Sequence, residues 1–97
     1  MIIVKGQSNE EIVLDGEWFE KLRGGHSKTK MPASSFVSVE IKEFERKKKL
    51  FGGEKEALLQ AVFTFSSPPF VGFITEAANK AQVEEIITGL EAARDSG

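Results

Sequence analysis

Apolar residues recur in this chain with two different periods, and the order of the two constrains the fold more than any other feature. Short alternating runs occupy residues 1–75, and one helix-period run occupies residues 79–95. A period of two places every second side chain on one face of a strand, whereas a period of 3.6 draws an apolar stripe along a helix. The succession predicts a mainly β, α+β domain in which a small antiparallel sheet or barrel is closed by a single C-terminal helix. Scaffolds of this kind host unrelated activities, so function has to be read from particular residues.

A chain of 97 residues is one domain, large enough for a genuine core and too small for two, and no repeat or linker divides it. The absence of cysteine excludes a disulfide framework, a thiolate nucleophile and a sulfur-rich zinc site. The opening Met1-Ile2-Ile3-Val4-Lys5 lacks the basic region and apolar stretch of a secretory signal, so a cytoplasmic location is expected. Residues 57–75 carry no charge, but Gln60, Thr64, Ser66, Ser67, Pro68 and Pro69 interrupt the run, which reads as a buried hairpin rather than a membrane span.

The net charge of −2 is unevenly spread. Residues 1–20 hold five acids and one lysine, residues 21–56 ten basic residues and five acids, and residues 76–97 five acids and two basic residues. The basic middle contains two clusters: Lys21, Arg23, His26, Lys28 and Lys30, then Arg46-Lys47-Lys48-Lys49.

Strands are expected over Met1–Lys5, Glu11–Leu14 and Glu17–Leu22, the last two joined at Asp15-Gly16, whose residues accept the positive φ of a type I′ turn. Arg23–Lys30 reads as a polar loop, and Met31–Ser35 leads into a strand with Val37, Val39 and Ile41 on its inner face. A further strand is expected at Ala57–Phe65, with Leu59, Ala61, Phe63 and Phe65 inward, and another at Val71–Ile74. Trp18, in phase with Leu22, reads as a core anchor. Phe19, Phe36 and Phe44 fall out of phase, and a bulge near Lys42-Glu43 would return Phe44 inward. In the helix, Asn79 and Gln82 have the spacing of a capping box, and Val83, Ile86, Ile87 and Leu90 form the apolar stripe, with Glu84, Glu91 and Asp95 on its polar flank.

Ile12-Val13-Leu14-Asp15-Gly16-Glu17-Trp18, the run Met31-Pro32-Ala33-Ser34-Ser35-Phe36-Val37-Ser38-Val39-Glu40 and the closing helix together resemble bacterial pleckstrin-homology-like domains of the short actinobacterial kind. The resemblance spans most of the chain and departs from the pattern at Phe36, where a smaller aliphatic residue is expected. It implies a strongly bent antiparallel sheet or partly open barrel of about seven strands, one end plugged by the helix; six are readable here. It also implies a binding or assembly module, and places the Lys21–Lys30 stretch near a loop that some such domains use for anionic head groups.

Little in the chain suits catalysis. The single histidine, His26, lies beside Ser27 in a polar segment with no activating partner at fixed spacing. Gly24-Gly25 and Gly52-Gly53 lack the lysine-serine ending and helix start of a phosphate cradle and read as turn glycines. No metal-ligand spacing and no cofactor signature occur, and the basic clusters lack the interleaved stacking aromatics of a nucleic-acid surface. The expected function is therefore non-enzymatic recognition of a protein or peptide along a strand edge or in a groove between sheet and helix. The alternative is peripheral contact with anionic lipid through Lys21, Arg23, Lys28, Lys30, Arg46, Lys47, Lys48 and Lys49, with Leu50 and Phe51 as an apolar contact, set against a reading of both clusters as solvated loops and of Leu50 and Phe51 as core residues.

Overall fold

The computed structural model describes residues 1–47, 55–67 and 70–96. Lys48, Lys49, Leu50, Phe51, Gly52-Gly53 and Pro68-Pro69 lie outside these, so the expected apolar hairpin tip lies outside the described residues. Two antiparallel sheets face each other, one of strands β1 (Ile2–Lys5), β2 (Glu10–Asp15), β3 (Trp18–Arg23) and β4 (His26–Pro32), the other of β5 (Phe36–Lys47), β6 (Lys55–Phe65) and β7 (Val71–Glu76). In each, strand order follows chain order, and the sheets do not close into a barrel. The helix α1 (Lys80–Ser96) packs against β1, β2, β5 and the Ala33–Ser35 turn that joins the sheets.

The core lies between the sheets and under α1. Ile12 and Leu14 from β2, Phe19 from β3 and Met31 from β4 meet Leu59, Ala61, Phe63 and Phe65 from β6. The Phe19 ring centroid lies 5.1 Å from those of both Phe63 and Phe65, and Phe36 meets Phe65 edge to face at 5.9 Å. These are favourable aromatic geometries. Val83, Ile86 and Leu90 are fully buried, each side chain contributing roughly 1.5–3 kcal/mol before entropy, while Ile87 is half-buried at the edge of the stripe. Gly89 costs helix propensity, but a Cβ there would collide with the Leu14 side chain, so the missing side chain lets α1 approach β2.

Several expectations are corrected. The first hairpin closes on the pair Asp15↔Trp18, with Gly16-Glu17 as its two-residue loop. Of these only Gly16 has positive φ, the type II′ requirement rather than the type I′ expected at Asp15-Gly16. Arg23–Lys30 is not a loop: Gly24 and Gly25, at φ 58° and 80°, make a type I′ turn into β4. This strand has a solvated edge, so it carries charge where a central strand carries aliphatics.

Trp18 is not in the core. It is 46% exposed, and Phe19 is the buried residue. The irregularity in β5 lies between Phe36 and Ser38, where Val37 is the extra residue, and not at Lys42-Glu43. Skipping Val37 leaves Phe36 and Val39 both facing inward and puts Val37 in solvent at 48% exposure. Ile41, expected inside, lies on the inner face opposite Ala61 but at the margin of the core, 36% exposed. The Asn79 side chain does not close a capping box: its amide donates to Thr75 Oγ1 (2.9 Å) and the Lys5 carbonyl (3.4 Å). The buried Thr75 hydroxyl in turn donates to that carbonyl (2.7 Å), tying the ends of β1 and β7 to the start of α1.

Candidate functional site

The basic residues singled out by sequence have separate fates. Lys21 lies on the inner side of β3, where its ammonium bonds the Gly72 carbonyl of β7 at 2.7 Å and pairs with Glu10 at 3.0 Å. It straps the two sheets together and is not offered to a ligand. Arg46 donates to Glu56 through Nε (3.0 Å) and to Gln7 Oε1 through Nη2 (3.0 Å). Lys30 stands over the Trp18 ring, its Nζ 5.2 Å from the centroid. Arg23, His26, Lys28 and Lys47 are exposed without an ion pair among the described residues. The β3–β4 turn and Arg46 both reach the Gln7–Asn9 turn: the Gly24 N–H donates to the Asn9 carbonyl (2.9 Å), and Arg46 donates to Gln7. Glu10 and Glu11 line the same depression as Gly24 and Gly25, which places carboxylates among the cations.

A second feature is the flank of β5. This strand is the outermost of its sheet, and α1 runs beside it in the opposite direction. Arg94 Nη1 donates to the Val37 carbonyl (3.0 Å) with its guanidinium 5.5 Å from the Phe36 ring, and Lys80 Nζ lies 3.5 Å from Glu43 Oε1. The lengths agree, since fourteen helical residues and six strand residues each span about 20 Å. Between these two clasps lie Val39, half-buried, and Ile41, at the margin of the core.

Sequence reasoning missed a third feature. The face of the four-stranded sheet turned away from the core carries Ile3, Val13, Trp18 and Leu22, because their neighbours Ile2, Ile12, Phe19 and Lys21 point inward. A depression of about 250 Å³ on one side of Trp18 is walled by Met1, Val13 and Leu22 with Asp15 and Glu20. Another, of about 350 Å³, lies between Trp18, Pro32 and Ala93, with Glu17, Ser34 and Ser96. The signal was present in the sequence: any two-residue turn near Gly16 pairs the inward Ile12 and Leu14 with odd-numbered residues of β3, which sends Trp18 outward.

Among the described residues no group of three or more His, Cys, Asp or Glu side chains is placed to hold a metal ion, and no helix is long and apolar enough to cross a membrane. Compared with family models, curated proteins and solved structures, the chain matches none.

Proposed function

We propose that the domain is a non-enzymatic recognition module that takes an extended segment of a protein or peptide along the outer edge of β5, beside α1. The observation that carries this reading is the edge of a twelve-residue strand, unpaired among the described residues and flanked by a helix held at both ends. A segment added there gains main-chain hydrogen bonds, and alternate side chains meet Ile41 and the margin of α1. Glu40, Lys42, Glu43, Glu45, Arg46 and Lys47 along the strand disfavour indiscriminate pairing, the usual protection of an edge, and select a segment of matching charge order. The division into four strands, three strands and a C-terminal helix also supports, as a proposal, assignment to the pleckstrin-homology-like group.

The test is amide chemical-shift mapping with peptides selected from a displayed library. Shifts are expected at Ser38–Glu43 and on the facing side of α1, and Ile41→Lys should weaken binding by about tenfold, one anchor's worth at an edge, without lowering the melting temperature. Shifts confined to residues 23–30 would overturn the reading.

A second reading, contact with anionic lipid, draws support from the contacts of the β3–β4 turn and of Arg46 with the Gln7–Asn9 turn, and from the exposure of Arg23, Lys28 and Lys47. Sedimentation with anionic and neutral vesicles at low and high salt separates the two. Salt-sensitive binding to anionic vesicles alone favours lipid; equal recovery with both kinds removes it.

A further inference from the structure

We infer that the outer face of the four-stranded sheet is a second docking surface, centred on Trp18, for a partner segment in which arginine or lysine alternates with apolar residues. This goes beyond the β5 edge, since the two surfaces lie on different sheets.

The argument starts from burial. Trp18 at 46%, Ile3 at 48% and Met1 at 80% exposure stand on a face that no other described element covers, bordered beside Trp18 by the end of α1, while the three-stranded sheet packs on the opposite side. A half-exposed tryptophan between two depressions has the form of an interface anchor: a large rigid ring that loses little freedom when covered.

Charge decides what covers it. Asp15, Glu17 and Glu20 line the two depressions, none of them in an ion pair among the described residues, against one cationic side chain, Lys30, which is engaged with the ring. Carboxylates beside an aromatic face match a guanidinium or ammonium from the partner, with apolar residues of the same segment filling the depressions against Val13, Leu22 and Pro32. The same carboxylates repel an anionic membrane. Two copies meeting through this face would set carboxylate against carboxylate, so a second copy of the chain is disfavoured as well.

Trp18 is the chain's sole tryptophan, so its emission reports on this surface alone. The probe is a blocked hexapeptide alternating arginine and leucine, compared with one alternating glutamate and leucine. The arginine peptide should give a saturable blue shift, weakened about tenfold by raising the salt from roughly 0.05 to 0.5 M and to a similar degree in the Asp15→Asn, Glu17→Gln, Glu20→Gln triple variant. Trp18→Ala should abolish peptide-induced shifts of the Val13 and Leu22 methyl resonances while the protein stays folded by circular dichroism. No saturable response up to about 1 mM peptide, near the limit of measurable affinity, overturns the proposal. An equal response to the glutamate peptide, an emission shift that follows protein concentration alone, or one produced by anionic vesicles also overturns it.

Discussion

Neighbouring residues in β3 divide the labour between core and surface, and mutation separates them. Phe19→Ala empties a site packed against Phe63 and Phe65 and should cost about 3–5 kcal/mol in urea unfolding. Trp18→Ala removes a half-exposed ring and should cost less than about 1 kcal/mol, a large-to-small change away from the core. The face Trp18 occupies was legible once Ile12 and Leu14 together were weighed against Val13; matching Trp18 to Leu22 within one strand ignored the cross-strand pairing that sets the phase. Thr75 makes a different demand. Thr75→Val keeps the volume but strips the Lys5 carbonyl of its short hydrogen bond and the Asn79 amide of an acceptor, and should destabilise by about 1–3 kcal/mol. Nothing in the local sequence marks that hydroxyl, because its partner lies on a strand seventy residues earlier.

Elements differ in how openly their residues announce them. The stripe Val83, Ile86 and Leu90 declares α1, and Leu59, Ala61, Phe63 and Phe65 declare β6, since both bury one regular face. β4 declares itself poorly: an edge strand with His26, Ser27, Lys28 and Lys30 exposed has no alternation to read, and its ladder to β3 supplies what its side chains do not. The meeting of β1 with β7 is equally silent, although it imposes a strict requirement at Gly6. A Cβ there would strike the Phe73 ring and the Ile74 carbonyl, the latter unable to move without disturbing β7. Gly6→Ala should therefore lower stability by about 1–3 kcal/mol, the usual cost of overpacking, measured by thermal and urea unfolding.

At the scale of the molecule, the two sheets are joined by few devices. The Ala33–Ser35 turn links them in the chain, Lys21 straps β3 to β7, the Thr75 hydroxyl ties β7 to the end of β1, and α1 fills the side that the sheets leave open between β1, β2 and β5. Ending the chain after Asn79 removes Val83, Ile86 and Leu90 from the core at once. The truncated protein should lose its cooperative thermal transition, and an unchanged melting temperature would refute the role given to the helix. The two-layer arrangement follows from the change of apolar period, whereas the surfaces offered to partners do not, because they depend on which strand ends at a sheet edge and which face is left uncovered.

The skipped residue in β5 carries one more implication. Because Val37 is the odd residue in the count, removing it alone would leave Phe36 and Ser38 paired in turn with Phe65 and Thr64, with Phe36 and Val39 still on the inner side of the strand. A kindred chain missing one residue at this point should therefore keep the same inner face and lose only the bulge, whereas a single deletion between Ser38 and Lys42 should turn the strand on one side of it to the opposite face.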